Sequence, residues 1–280
     1  MYTRKQKTFL ALMMFMLALI GGGVQIASSL SAGVGKTITV NGVNIYYREQ
    51  GKGDVLLLLH GGMGTLESWS YQVPEFSKYY RVITPDSRGQ GRSTDAAGPL
   101  TYHDMAEDMI ALMDALKIQS AYVVGWSDGG NTGLDMAIHH PQRVKALVAY
   151  GANGNVAGLQ GSFVDYLTKA SVPQLVKDMG SEFLAVSPRP EYLPIIADKV
   201  RNMWLKEPNF TQSDYDKIRA PSLILDGLNE EYIRPDHACT MAAQIKGARC
   251  QMLDGVGHFA MANDTERFNS LVLSFLAEHH

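Results

Sequence analysis

The segment Gly125-Trp126-Ser127-Asp128-Gly129 sets a serine between two glycines at G-x-S-x-G spacing. Residues 121–125 before it read as an apolar strand, and the residues after it read as a helix closed by Pro141. A serine on so tight a strand-to-helix turn stands clear of the backbone. Side chains two residues to either side would collide with the chain, which accounts for glycine at both positions. The helix that follows turns its N-terminus toward negative charge developing on an attacked carbonyl. The chemistry this arrangement could do is nucleophilic acyl transfer, provided a base removes the hydroxyl proton.

On such a turn the partners follow in the chain order serine, acid, histidine. Of the eight histidines, His258 has the matching address, in Gly255-Val256-Gly257-His258-Phe259 between the last strand and the last helix. His139 and His140 close a helix, His103 and His237 lie at helix starts, and His279 and His280 are terminal; all six read as surface residues. The acid is expected in Asp226-Gly227-Leu228-Asn229-Glu230-Glu231, after the strand at 222–225. Its task is to hold the imidazole tautomer and stabilise the imidazolium. Glu230 is the choice because it stands clear of the strand end. Glu231 is the next candidate, Asp226 comes early, and Asp254 is a weak fourth. An acid after the preceding strand is excluded, since Gly151-Ala152-Asn153 offers only an uncharged amide.

His60-Gly61-Gly62-Met63-Gly64 follows the first buried strand, where a second oxyanion N–H is expected. Gly62 is the first candidate donor and Met63 the second, with Asp128 N–H supplying the other hydrogen bond. His60 itself reads as a structural hydrogen-bonder of that turn.

These residues need a frame. Residues 37–40 and 43–47 flank Asn41-Gly42, a two-residue hairpin signal. The unbroken apolar run 55–59 reads as a strand buried on both faces. Strands at 81–84, 121–125, 144–150, 222–225 and 249–253 alternate with helical patterns, the first of which starts behind Thr101 as N-cap. The alternation predicts an α/β fold with a largely parallel sheet. It stops between 156 and 213, a helical, proline-interrupted stretch carrying Phe163, Tyr166, Phe183, Tyr192, Trp204 and Phe210. This stretch reads as an excursion from one sheet, with residues 34–155 and 214–280 as the core.

The chain has 280 residues, 46% of them apolar and 19% charged, which excludes general disorder. A net charge of −3 argues against nucleic-acid binding. Arg4, Lys5 and Lys7 precede an uncharged run at 8–20, and small residues surround Ser29. That pattern makes 1–29 an expected export signal, periplasmic or secretory; an uncleaved membrane anchor over 8–26 is the alternative. Cys239 and Cys250 would then meet an oxidising compartment, either as a disulfide or as two buried thiols.

The segments HGGMG, PDSRGQGRS, VGWSDGG, LILDGLNEE and GVGHF, in that order, resemble the α/β-hydrolase family. Around VGWSDGGNTGL and YGANGN the chain is similar to the biphenyl-hydrolase-like esterases. The resemblance implies an eight-stranded sheet, a helical cap between strands six and seven, and no metal or organic cofactor. Its acid is usually aspartate, so Glu230 is a departure. Ser127 speaks against the carboxylate-nucleophile dehalogenases and epoxide hydrolases of this fold. In the subgroup an acid at position 128 is associated with binding a substrate's α-amino group; capping of the helix start explains Asp128 without a ligand. The expected function is serine hydrolysis of a small ester, thioester or lactone. An amidase or aminopeptidase-like enzyme, a C–C-bond hydrolase or cofactor-free peroxidase, and a non-catalytic receptor are the alternatives.

Overall fold

The computed structural model describes residues 34–280, so the expected export segment lies outside the described residues. Eight strands form one sheet: β1 (Lys36–Val40), β2 (Val43–Gln50), β3 (Val55–Leu59), β4 (Arg81–Pro85), β5 (Ala121–Trp126), β6 (Val144–Tyr150), β7 (Ser222–Gly227) and β8 (Arg249–Leu253). Their spatial order is β1-β2-β4-β3-β5-β6-β7-β8. β1 and β2 pair antiparallel through the turn at Asn41 and Gly42, whose φ values of 48° and 79° give the left-handed pair a tight hairpin requires. β2 also meets β4 antiparallel, and every pairing from β4 to β8 is parallel.

The two-residue period of the central strands separates two cores. Leu57, Leu59, Val123, Leu147 and Ile224 point to one face. That face is covered by α1 (Tyr102–Ala115), α2 (Asp128–His139) and, beyond the excursion, the helix His237–Gln244. Leu56, Leu58, Val124, Val148, Leu223 and Leu225 point to the other, covered by Trp69, Phe76 and the C-terminal helix Thr265–Ala277. Burial on both sides is why these strands are apolar at successive positions. Thr101 caps α1 by accepting the Asp104 N–H at 3.0 Å.

Between β6 and β7 the chain forms α3 (Gly161–Lys169), α4 (Val172–Met179), α5 (Ser181–Val186) and α6 (Leu193–Trp204). Phe163, Leu167, Leu175, Phe183, Ile196, Val200 and Met203 build a third core, which also takes in Met63, Tyr102 and Met105 from the main body. The departing and returning chains lie side by side: Val156 N–H donates to Pro208 O at 2.9 Å and Phe210 N–H to Gly154 O at 3.0 Å. On α5, Glu182 accepts the Thr65 N–H and hydroxyl at 2.8 and 2.6 Å, tying this layer to the loop after β3. After that layer come α7 (His237–Gln244) and α8 (Thr265–Ala277). Cys239 of α7 and Cys250 of β8 form a disulfide with Cα atoms 5.2 Å apart, which resolves the choice between a bridge and two thiols.

Candidate active site

All the chemistry-bearing loops leave the C-terminal ends of parallel strands, where open α/β sheets gather their ligands. Ser127 directly follows β5 and has φ 55° and ψ −117°, a strained conformation for a residue with a Cβ. The strain is held by what surrounds it. A Cβ on Gly125 would lie 2.1 Å from Gly129 O, and one on Gly129 would lie 2.0 Å from Leu59 O, so only glycine lets the strand, the turn and α2 approach this closely. Ser127 N–H donates to Tyr150 O at 2.7 Å, fixing the turn to β6. Within residues 121–130 Ser127 alone is not fully buried.

His258 is buried in the loop after β8, and several bonds fix that loop. Trp126, beside the serine, donates its indole N–H to His258 O at 2.8 Å, and the indole lies 5.7 Å from the imidazole. The Tyr150 hydroxyl donates to Gly257 O. Gly151, the residue after Ser127's backbone partner, faces the imidazole so closely that a Cβ there would lie 2.9 Å from Cε1. The nucleophile turn and the imidazole therefore share the neighbours Trp126 and Tyr150–Gly151.

Of the acid candidates, Glu230 meets the imidazole: its oxygens lie 2.9 and 3.0 Å from His258 Nδ1. Oε1 also accepts the backbone N–H groups of Tyr232 and Ile233 at 2.8 and 3.2 Å, which orients the carboxylate. Glu231 does something else. Its Oε2 accepts the backbone N–H of His258 at 2.9 Å, positioning the loop rather than the ring. Asp226 is buried at the end of β7, where Oδ1 accepts the Gly227 N–H at 2.8 Å and the side chain hydrogen-bonds Glu230. Burial, then the charge of Glu230, pushes the Asp226 carboxyl well above its ordinary value. Burial also raises Glu230, to about 7. Burial lowers His258 from its ordinary value, favouring the neutral ring a general base must be.

The loop after β3 separates the two oxyanion candidates. Met63, at φ 62°, spends its N–H on Gln90 Oε1 at 2.7 Å. Gly62 N–H has no acceptor among the described residues, and Asp128, as the first residue of α2, has no intrahelical acceptor for its own. His60 is buried and structural: Nε2 accepts the Ser87 N–H at 2.9 Å, so Nδ1–H faces Gly61 O at 2.7 Å. Asp86 accepts Leu66 and Arg92 N–H groups at 2.7 and 2.9 Å, holding the PDSRG segment against the same loop.

The Asp128 side chain does not cap α2. Its Oδ1 accepts the Tyr102 hydroxyl and the Trp204 indole N–H, both at 2.8 Å. Oδ2 is buried without a partner and faces Gly62, where a Cβ would lie 2.3 Å from it. The capping expectation failed because the competing donors come from α1 and from the end of α6, far off in sequence. Burial pushes this carboxyl up to about 6. A buried acid raised in this way costs nothing while protonated and destabilises the fold as pH climbs from 3.8 through 6. At roughly 1.4 kcal/mol per pH unit that interval is worth about 3 kcal/mol. Asp128→Asn is therefore expected to gain about 3 kcal/mol on wild type between pH 4 and pH 8. Urea unfolding of both proteins at each pH checks it; parallel stability curves would contradict the buried charge.

Sequence reasoning missed Tyr102, Trp204, Trp126 and Tyr150 as site residues. Nothing local marks them, since each is placed by a partner on another element. Aromatic rings run from the helical layer to the imidazole: Phe163 lies 5.7 Å from Trp204 and 4.8 Å from Tyr232, which lies 4.8 Å from His258.

Comparison with known proteins bears on the fold and on the class of protein. The profile of the alpha/beta hydrolase fold family matches residues 54–178. The chain is 28% identical to 2-hydroxymuconate semialdehyde hydrolase of Pseudomonas sp. (strain CF600), over 88% of this chain and 94% of that one. It is 27% identical to serine hydrolase BPHL of Homo sapiens, over 85% of each. Among solved structures, Est816, described as an N-acyl homoserine lactone degrading enzyme, superposes with a TM-score of 0.72 at 26% identity, covering 86% of this chain and all of that one. Fold and relatives together define an α/β-fold hydrolase. The chain has the α/β-hydrolase fold and is similar over most of its length to hydrolases that include a 2-hydroxymuconate semialdehyde hydrolase and BPHL.

Proposed function

We propose that this protein is a serine hydrolase that cleaves a small carboxylic ester, thioester or lactone through Ser127, His258 and Glu230. The observation that carries the reading is the Glu230 carboxylate at 2.9 Å from His258 Nδ1, in a loop braced by the residues around the Ser127 turn. Ser127 Oγ attacks the acyl carbon while His258 Nε2 takes its proton; Glu230 keeps the other proton on Nδ1 and stabilises the imidazolium. The N–H groups of Gly62 and Asp128 receive the oxyanion. His258 then protonates the leaving alkoxide, and water repeats the cycle on the acyl-enzyme. Residues 156–213 serve as the cap, and its rings favour an apolar substrate. The lactone in the description of Est816 supports including lactones.

A second reading, an amino-acid ester or amide as substrate, is favoured by one observation: the buried, partnerless Oδ2 of Asp128. An ammonium group reaching it would pair with a desolvated carboxylate. A panel of aryl esters of graded acyl length, with lactones and aminoacyl esters, tests both. Turnover of uncharged acyl esters or lactones supports the first reading. A preference for the aminoacyl ester that disappears in Asp128→Asn supports the second, and no turnover of any member contradicts both. Export to an oxidising compartment is part of the proposal, supported by the basic-then-apolar start of the chain and by the disulfide.

A further inference from the structure

Away from Ser127, α1 and α2 bring together a second cluster that the hydrolase site does not use. His103 stands at the start of α1; Asp135 and His139 lie one turn apart on α2, so both face α1. His103 Nδ1 and His139 Nδ1 lie 2.9 and 3.0 Å from the same oxygen, Asp135 Oδ1. One ligand atom from each of the three residues lies within 4.8 Å of the others. The rings meet edge-on with centroids 4.6 Å apart. Asp135 is buried, whereas the His103 and His139 side chains are 53% and 38% exposed, which leaves the cluster open to an ion from solvent.

We propose that His103, Asp135 and His139 form a binding site for a divalent transition metal, Zn²⁺ foremost. Two imidazole nitrogens and one carboxylate oxygen are the donor set such ions take, with water completing the tetrahedron. Zinc ligands at about 2.0–2.1 Å stand about 3.4 Å apart. The two nitrogen-to-oxygen separations need to open by only a few tenths of an ångström, and the imidazole nitrogens, within 4.8 Å of one another, need to settle at the same spacing. Both rings turn the same nitrogen inward, and an ion binding there displaces the Nδ1 protons and leaves each ring protonated on Nε2. For His103 that Nε2–H has a waiting partner: Glu107 Oε1 lies 3.9 Å away, the kind of outer contact that orients a ligating ring. Glu107 also accepts from His140 Nε2, at 2.6 Å, and His139 Nδ1 approaches Asp135 O at 3.1 Å. The ion would staple α1 to α2. Tyr102, which holds Asp128, is the neighbour of His103, so the staple secures the helix pair that carries the Asp128 contact. Its role is structural, separate from the hydrolytic chemistry.

The test is calorimetric titration of the chelator-treated full chain with Zn²⁺ at pH 7.5, beside thermal melts. The expected result is one saturable site and a Tm rise of ~5 °C at hundredfold excess over Kd. His103→Ala, Asp135→Asn and His139→Ala should each weaken binding at least about tenfold, with ester hydrolysis retained as evidence of folding. A His279→Ala/His280→Ala double variant should bind as wild type. Anomalous diffraction at the zinc edge should place the ion among the three side chains. Binding weaker than about 1 mM, binding unchanged in the three variants, or binding lost only in the terminal double variant would each overturn the proposal.

Discussion

Ser127→Ala is expected to lower kcat/KM for the best ester by about 10⁵–10⁶-fold, with Tm within ~2 °C of wild type. The hydroxyl is the only group removed. The strained turn survives because it depends on Gly125, Gly129 and the Ser127 N–H on Tyr150 O, none of which the substitution touches. His258→Ala should cost a similar factor, and the double variant little more, because nucleophile and base act as one unit. The residual rate over water belongs to the N–H donors at Gly62 and Asp128. Steady-state kinetics with matched melting curves checks this; additive losses in the double variant would separate the two residues mechanistically.

Glu230→Gln is expected to cost about 10³–10⁴-fold in kcat, and Glu231→Gln less than about tenfold. In Glu230→Gln the carbonyl oxygen would stay on the Tyr232 and Ile233 N–H groups, which turns the amide N–H₂ toward His258 Nδ1. That donor forces the imidazole proton onto Nε2, where the base must be free, and it removes the countercharge from the imidazolium. Glu231→Gln keeps an oxygen able to accept the His258 N–H. The pH profiles should also part. Losing either charge lowers the pKa of the base further and moves the acid limb of kcat/KM to lower pH, and Glu230→Gln moves it more because that carboxylate touches the ring. Equal losses in the two variants would overturn the assignment of the acid.

Much of the frame was legible because it is written in local patterns. The unbroken apolar run of β3, Asn41-Gly42 between two β-rich runs, and the strand–GWSDG–helix succession are each decided within a few residues. The placement of Ser127 on the turn after β5 and of His258 in the loop after β8 was legible for the same reason, being fixed by position relative to strands. Choosing Glu230 over its neighbour depended on how the loop after β7 turns. That turn is set by Leu228 and Asn229 N–H bonds to Leu253 and Val256 at 2.8 and 2.9 Å, contacts invisible in the loop's own residues. Asp128 was misjudged because helix-start preference is a local rule, whereas Tyr102 and Trp204 come from other layers. Met63 remained an oxyanion candidate only until Gln90, 27 residues away, was found on its N–H. The metal-type cluster was similarly hidden: His103 reads as a helix start and His139 as a helix end, and only the α1–α2 packing joins them.

The most direct test of the account is labelling of the folded protein with a fluorophosphonate, followed by peptide mass spectrometry. A reactive Ser127 should give one stoichiometric adduct on the peptide containing GWSDG, absent in Ser127→Ala and in His258→Ala. A folded wild-type protein that stays unlabelled, or carries its adduct elsewhere, would contradict the claim that Glu230 and His258 make this alcohol a nucleophile.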